Sequence, residues 1–355
     1  MTSNRRRGAE VFADRLREGL EGLGWRADLA SLSGEPDHAS VGATPVSRRT
    51  VGRLGRLNLD VVFGLRKHLR ARHPEVVLAN GSATLRYAAL ALATLPGGPV
   101  LAYASIGEPR YWARSRRQLL IQRMLLRRPE VVLAVSEATR VQLVDGLGVP
   151  ADRVTLAHTG VPESFFSVPR RGPADALRLL FVGNLSPEKD PETSLEVLRR
   201  LEVPARLRLV GSGPLRAVLE ERARAAGLED RVEMLGSVSD VRPHLAWADL
   251  LVLTSRTEGL PAAVLEAGAA GLPAVGFEVG GTGETIVDRR TGRLVPRGDL
   301  GGFCAAVESL AEDAALRTRM GAAARELVRE RFTLDRSVQR YHEVLLAARR
   351  RSGSR

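Results

Sequence analysis

Three charged side chains in the second half of the chain have the types and the spacing that could bind a phosphorylated ligand. Lys189 follows the strand-like run of LRLLFVGNLSPEKDP, and the chain, with 53 basic residues, has only one other lysine, Lys67. Glu258 and Glu266 lie eight positions apart in RTEGLPAAVLEAGAAGLP. A lysine at the carboxyl end of a strand can meet a diphosphate as a point charge. The competing interpretation is a solvated loop lysine, a capping acid and an ordinary helix acid.

The spacing of the two glutamates does not suit the acid and base of a hydrolase. DLLVLTS predicts a strand, RTEG its loop, and Pro261 fits the first position of a helix that ends before Gly271. Glu258 then lies above the sheet and Glu266 inside the helix, so they cannot flank one scissile bond. The backbone amides at the start of that helix form an expected anion site for phosphate. One carboxylate would lie toward each end of an extended ligand.

Glycine turns follow two further strands. LVGSGPLRAVL places Gly211 and Gly213 in a tight turn, but no third glycine completes the dinucleotide fingerprint, so a nicotinamide site is not indicated. We interpret this turn as a close backbone approach that could line a nucleotide site. A second glycine cluster, in FEVGGTGETI, suits a loop beside a ligand as well as a plain connection.

Alternating strand-like and helical patterns must position these residues. The strand-like runs of the first half are residues 76–80, 99–104, 130–136 and 153–158. Those of the second half are residues 177–183, 205–211, 231–236, 249–255 and 273–277. This alternation predicts an α/β protein with two tandem, doubly wound, Rossmann-like domains facing a cleft. Because residues 161–176 are polar, rich in proline and without periodicity, we place the domains at 1–165 and 166–355.

Helical patterns also lie at the two ends of the chain. GAEVFADRLREGLEGLG predicts a first helix from Gly8, yet the seven residues before it form no strand. A doubly wound sheet normally begins with a strand there, so we expect roughly ten further residues upstream. FTLDRSVQRYHEVLLAARR predicts a last helix that packs back toward the first domain. The tail RRRSGSR is expected to be disordered.

Composition limits the function classes. The net charge is +12, but only 4% of residues are aromatic and they do not alternate with the basic ones, so no platform for single-stranded nucleic acid is visible. The single cysteine, Cys304, permits no internal disulfide and no cysteine metal cluster. The sequence has neither a membrane-spanning apolar run nor the apolar stretch of a signal peptide. These features predict a cytoplasmic protein.

Six motifs follow one another in the second half: VGNLSPEKD, LVGSGP, VEMLGSVSDV, ADLLVLTSRTEGLPAAVLEAGAAGLPAV, VGGTGETI and TGRLVPRGD. The series resembles the second domain of retaining glycosyltransferases of the GT-B fold, family 4, whose E-x7-E element matches the acidic pair. In the first half, RRGAEVFADRL and AVSEATRVQLVDGLGVPADRVTLAHTGV are similar to the first domain of that family. The resemblance implies transfer of a sugar from a nucleotide-sugar donor to an acceptor hydroxyl with retention, without a metal or other cofactor. The donor would be of the UDP or GDP type.

The resemblance also implies roles for individual residues. As catalytic residues, Lys189 would contact the donor diphosphate and Glu258 would face the donor sugar, while Glu266 would hold the nucleotide ribose. Gly8 would let the backbone of the first domain approach the phosphates, and Val238 would line the base pocket. The other residues expected to bind the donor are Gly183, Asn184, Gly211, Gly259, Leu260, Pro261 and Ala262.

Two features depart from the family pattern. The family usually has an arginine where this chain has Asn184, so one of two phosphate cations is missing. The family usually has a histidine after the fourth strand of the first domain, whereas residues 105–110 contain none. These departures leave open a catalytically impaired protein that binds a nucleotide or a partner. A nucleotide-sugar epimerase or hydrolase on the same fold is a further alternative.

The expected partners are the nucleotide-sugar donor and an acceptor sugar, glycan or lipid-linked sugar. Residues 110–128, RYWARSRRQLLIQRMLLRR, are basic and apolar by turns, as in a helix at a membrane interface. A surface helix with one apolar core face explains the same pattern. The membrane interpretation predicts peripheral contact with anionic lipid at the inner face of the cell membrane. Nucleotide, sugar, acceptor and oligomeric state are left open by the sequence.

Overall fold

The computed structural model describes most of the chain and divides it into two compact units. The described residues are Met1, 8–34, 43–47, 57–95, 97–112, 115–172 and 174–353. The first unit comprises Met1–Thr159 with Asp335–Arg355, and the second comprises Gly160–Leu334. Residues 160–165 belong to the second unit because the backbone of Val161 pairs with Phe332 and Leu334 of that unit. The boundary therefore lies before the predicted one at 165 and 166.

A four-stranded parallel sheet forms the centre of the first unit. The strands of this unit are β1 (Ala30–Ser31), β2 (Thr44–Pro45), β3 (Val76–Asn80), β4 (Val100–Ser105), β5 (Val131–Ala134) and β6 (Val154–Leu156). Its helices before residue 160 are α1 (Gly8–Gly22), α2 (Leu59–Arg72), α3 (Ser82–Leu92), α4 (Arg116–Leu126) and α5 (Glu137–Val141). Strands β3, β4, β5 and β6 pair in that order, and β1 pairs separately with β2. All four strands predicted in this half are present; the two short strands β1 and β2 were not predicted.

The expected first strand lies outside the described residues, as do residues 2–7. Met1 lies beside β1, where its amino group donates to the carbonyl of Ala30 at 2.8 Å. Its own carbonyl accepts a hydrogen bond of 3.0 Å from the amide of Leu32. Helix α1 begins at Gly8, as predicted, and buries Phe12, Leu16 and Leu20.

The second unit contains a six-stranded sheet whose pairings are all parallel. The strands are β7 (Leu177–Val182), β8 (Ala205–Val210), β9 (Val232–Gly236), β10 (Leu250–Leu253), β11 (Ala274–Glu278) and β12 (Gly292–Pro296). The helices are α6 (Pro191–Arg200), α7 (Arg216–Ala225), α8 (Arg242–Trp247), α9 (Ala262–Ala269), α10 (Thr282–Thr285), α11 (Leu300–Glu312) and α12 (Ala314–Arg331). The strand order is β9-β8-β7-β10-β11-β12, which is the order of a doubly wound nucleotide-binding sheet. The edge strand β12 was not predicted.

Strands β7 and β10 lie side by side at the point where the sheet changes direction. Leu179 pairs in register with Leu250, and both are fully buried because helices cover both faces of a parallel sheet. Ligands of doubly wound sheets bind in the crevice at the carboxyl ends of such a strand pair. The loops that follow these two strands contain Lys189 and Glu258, so the topology of this unit brings both residues to that crevice.

A largely buried ion pair joins the amino ends of the same two strands. The guanidinium of Arg178 donates two hydrogen bonds to the carboxylate of Asp249, at 2.8 and 2.9 Å. The backbone amide of Arg178 donates to the same carboxylate at 2.9 Å. The hydrogen bonds to Asp249 hold the pKa of Arg178 above its usual value. This arrangement fixes the pairing of β7 with β10 at the edge opposite to the crevice.

The last helix, α13 (Leu334–Gly353), packs on the first unit, as predicted. The rings of Phe12 and Tyr341 meet edge to face, with centroids 5.7 Å apart. The indole nitrogen of Trp25 donates to Nδ1 of His342 at 2.8 Å. The helix runs to Gly353, so the expected disordered tail is wrong for residues 349–353. Residues 354 and 355 lie outside the described residues.

Candidate active site

Lys189 and Glu258 form a direct ion pair at the carboxyl ends of β7 and β10. The ammonium of Lys189 donates to both carboxylate oxygens of Glu258, at 2.7 and 2.8 Å. The hydroxyl of Ser255 donates to one of these oxygens at 2.6 Å. The side chain of Glu258 is only 6% exposed, whereas that of Lys189 is 31% exposed. The pair therefore has a buried anionic end and a cationic end that a ligand can reach.

A second ion pair links the same two loops. Nε of Arg256 donates to the carboxylate of Asp190 at 2.9 Å, and the backbone amide of Arg256 donates to the carbonyl of Glu188 at 2.8 Å. The hydroxyl of Thr254 donates to the carbonyl of Asp190 at 2.8 Å. These contacts hold Asp190 in the left-handed region, at φ 48°, which few residues other than glycine adopt. The backbone next to Lys189 is thus fixed by the loop that carries Glu258.

Four backbone amides lie just before and at the start of α9. The helix begins at Ala262, with Pro261 as its N-cap, one position later than predicted. Among the described residues, no hydrogen-bond acceptor is found for the amides of Gly259, Leu260, Ala262 and Ala263. The first amides of a helix form an anion site when they converge on a ligand. These four backbone amides therefore support the predicted phosphate site.

Two glycine turns lie close against these loops. Gly211 has φ 141°, and a Cβ there would collide with the carbonyl of Gly183. A Cβ on Gly213 would collide with the backbone of Leu185. In the loop after β11, the amide of Gly281 donates to the carbonyl of Glu258 at 3.3 Å. The site thus has walls of closely packed backbone, which only glycine permits at these positions.

The remaining predicted site residues differ in how far they are exposed to solvent. Glu266 is half-buried on α9, four residues after its first residue, and Leu260 and Pro261 are buried before it. Asn184 and Val238 are half-buried in the loops after β7 and β9. Gly8 is exposed at the start of α1 and belongs to the first unit.

Four residues of the site were not predicted. They are Asp190, Ser255, Arg256 and Thr257. The hydroxyl of Thr257 is buried and has no hydrogen-bond partner among the described residues, although it lies next to Glu258. For Ser255, Arg256 and Thr257, the signal available in the sequence was their position directly before Glu258. A hydroxyl three positions before a loop glutamate can bond to it in a tight turn. No group of three or more metal-binding side chains occurs in the described part of the chain.

Two family models match the chain in tandem. The model described as Glycosyltransferase Family 4 matches residues 6–165, and the model described as Glycosyl transferases group 1 matches residues 168–327. The chain belongs to the glycosyltransferases that these two models together describe. The second match contains the whole site around Lys189 and Glu258, and the two matches together extend over both units.

Relatives of this glycosyltransferase include enzymes named for different activities. Glycogen synthase of Mycobacterium tuberculosis is 28% identical over 296 residues, which is 79% of this chain and 70% of the relative. N-acetyl-alpha-D-glucosaminyl L-malate synthase of Bacillus anthracis is 34% identical over 168 residues, 47% of this chain and 44% of the relative. These similarities agree with the family assignment.

Solved structures with the same fold support the GT-B architecture. Anabaena HepE in complex with UDP-glucose superposes with a TM-score of 0.82 at 20% identity, over 98% of each chain. Sucrose-phosphate synthase of Thermosynechococcus elongatus gives a TM-score of 0.82 at 20% identity, over 98% of this chain and 96% of that one. The predicted GT-B fold is confirmed. No helix among the described residues is long and apolar enough to cross a membrane.

Proposed function

We propose that this glycosyltransferase moves a sugar from a nucleotide-sugar donor to an acceptor hydroxyl, with retention of the anomeric configuration and without a metal ion. The observation that carries the proposal is the pair of Lys189 and Glu258 at the switch point between β7 and β10. A buried carboxylate holds the ammonium of the lysine where a ligand of a doubly wound sheet would lie.

The donor diphosphate would lie between Lys189 and the start of α9. An ammonium has three N–H donors, and two of those on Lys189 point to Glu258. The third N–H and the unpaired amides at Gly259, Leu260, Ala262 and Ala263 can bind phosphate oxygens. Their combined positive charge neutralises the leaving diphosphate, which is the task that a metal ion performs in other transferases.

Glu258 and Glu266 would bind the two ends of the donor. Glu258 lies at the base of the loop next to the cation, where it can accept hydrogen bonds from sugar hydroxyls. Glu266 lies one helical turn after the first residue of α9, where it can accept hydrogen bonds from the ribose hydroxyls. Gly183, Gly211 and Val238 would form the wall around the nucleotide. These positions support one extended ligand along the crevice.

Transfer with retention needs no separate general base in this arrangement. The bond between the anomeric carbon and the diphosphate oxygen breaks, and the acceptor oxygen bonds to the same carbon on the same face. The departing oxygen takes the proton of the acceptor hydroxyl. Lys189 and the α9 amides stabilise the negative charge that develops on the diphosphate.

For the donor we propose a UDP-sugar as the first candidate and a GDP-sugar as the second. HepE, which shares the fold, was solved with UDP-glucose, and this supports the order of testing. The proposed acceptor is a sugar, a glycan or a lipid-linked sugar of a cell-envelope polysaccharide, in the cytoplasm. A lipopolysaccharide core glycosyltransferase of Rhizobium meliloti, 32% identical over 173 residues, 49% of this chain and 51% of the relative, supports this acceptor class.

Calorimetric titration of UDP, GDP and ADP into the full chain tests the donor site. We expect one nucleotide to bind selectively and to bind more weakly to Lys189→Met. Saturable binding without transfer to any acceptor would favour the impaired protein that Asn184 suggests. No binding of any nucleotide to the folded protein would contradict the proposal.

A further inference from the structure

Helix α4 of the first unit has an apolar outer face that is open to solvent. The side chains of Leu120 and Met124 are 62% and 65% exposed, more than any other large hydrophobic side chain of the described residues. They lie one helical turn apart, with Ile121 beside them at 41% exposure. The opposite face is anchored, since Leu126 is buried and Leu119 and Leu125 pack on the core of the unit. The outer face is therefore displayed by a fixed helix.

Arginines surround this apolar face, and no carboxylate interrupts them. Residues 115–128 contain Arg116, Arg117, Arg123, Arg127 and Arg128 and no aspartate or glutamate. At helical spacing, Arg117 lies three positions before Leu120 and Arg127 three positions after Met124, so both ends of the apolar stripe are basic. This is the composition of a helix that lies in the plane of an anionic membrane surface.

A basic recess continues the surface beyond the end of α4. It has a volume of about 450 Å³ and is lined by Arg127, Arg128, Glu130, Asp152, Arg153 and Arg351. Four guanidinium groups face two carboxylates there, so the recess keeps a net positive charge. Its position before β5 and β6 places it at the amino edge of the sheet, away from the edge where doubly wound sheets bind their ligands. The recess therefore matches a phosphate group outside the substrate site.

We propose that the outer face of α4 and this arginine recess form a docking surface for an anionic phospholipid membrane. Leu120, Ile121 and Met124 enter the interface between headgroups and acyl chains, and the arginines bind lipid phosphates. Charge complementarity selects this partner, because anionic lipid phosphates offer counter-charges to the five arginines of residues 115–128 and a neutral surface does not. Docking uses no residue of the donor site, so it is independent of the proposed transfer reaction.

Flotation of the full chain with vesicles tests the docking surface. We expect the protein to float with vesicles of phosphatidylcholine and phosphatidylglycerol mixed two to one, and to stay in the buffer with phosphatidylcholine alone. Because each arginine near such a surface strengthens partitioning about fivefold, Arg127→Gln/Arg128→Gln should weaken it about 25-fold. High salt should weaken binding of the unchanged protein as well.

The apolar contribution is tested with a matched pair of variants. Leu120→Ser/Met124→Ser removes only exposed side chains, so the fold and nucleotide binding should be unchanged while vesicle binding falls at least tenfold. The control is Leu59→Ser/Phe63→Ser, which removes an equally spaced pair on α2 with 57% and 59% exposure. This control should leave vesicle binding unchanged.

Three results would overturn the proposal. They are absence of the protein from anionic vesicles, equal losses in the α2 and α4 variants, and tight binding of duplex DNA or RNA that vesicles cannot displace. Nucleotide titration of the same samples separates the two proposals, since a protein that binds UDP but not vesicles contradicts docking alone.

Discussion

Replacement of Lys189 by methionine should lower two quantities that depend on this one side chain, the free energy of unfolding and the affinity for the donor nucleotide. Methionine keeps the length of the lysine stem but takes the ammonium away from the carboxylate of Glu258, which is 6% exposed. Removing one partner of a fully buried pair costs about 3–5 kcal/mol. Because Lys189 is 31% exposed, water can reach the space that its ammonium leaves. We therefore expect a loss of about 2 kcal/mol in the free energy of unfolding.

Binding of the donor nucleotide should weaken for a separate reason. A hydrogen bond to a charged group contributes about 1.5–3 kcal/mol, so Lys189→Met should weaken nucleotide affinity about 10- to 150-fold. The turnover number should fall further, because charge accumulates on the leaving diphosphate in the transition state. Calorimetric titration with the nucleotide and a steady-state transfer assay measure these two quantities.

A double-mutant cycle separates stability from function. In Lys189→Met/Glu258→Gln no buried charge is left without its partner, so we expect the double variant to recover most of the lost stability in urea unfolding while transfer stays undetectable. Lys67→Met, at an exposed lysine of α2, is the control and should change neither quantity. Unchanged nucleotide affinity in Lys189→Met, or strictly additive destabilisation in the cycle, would refute the role given to this pair.

Three further substitutions probe the second unit. Gly211→Ala should destabilise the protein by about 3 kcal/mol and abolish nucleotide binding, because a side chain at φ 141° collides with backbone. The control Gly227→Ala, at φ 63° in open space, should cost about 1 kcal/mol, and urea unfolding compares the two variants. Asn184→Arg should tighten binding of the cognate nucleotide about tenfold in calorimetry by restoring the missing cation; a weaker complex would argue against a phosphate near this position. Arg178→Met should lower stability by about 2 kcal/mol, because Asp249, 14% exposed, loses the guanidinium and keeps the backbone amide of residue 178 as a donor, and adding Asp249→Asn should recover part of that loss in thermal unfolding.

Much of the fold could be predicted because its elements have strong local patterns. The leucine and valine runs of β7 and β10, bounded by glycine or polar loops, could be recognised without any tertiary information. The edge strand β12 was missed because Gly292–Pro296 is short, begins with glycine and ends with proline. Five residues of mixed polarity carry too little periodicity to identify a strand.

The sequence singled out Lys189 and Glu258 as individual residues but did not predict that they are in contact. Lys189 and Glu258 are separated by 69 positions, and their contact depends on the pairing of β7 with β10, which local patterns do not specify. The crossed pair of Asp190 and Arg256 was missed for the same reason, since each of them resembles an ordinary surface charge in the sequence. Side-chain types indicated the chemistry, whereas strand order determined which groups meet.

The first unit is built from two segments that are far apart in the sequence, and this has a consequence for biosynthesis. Helix α13 contributes Val338, Tyr341 and Leu345 to the interior of a unit that otherwise ends at Thr159. During translation, Gly160–Leu334 is a continuous segment that can fold as soon as it leaves the ribosome. The earlier-made unit must wait for the last residues before the apolar surface around Phe12 is covered. The second unit is thus expected to mature before the unit whose synthesis begins first.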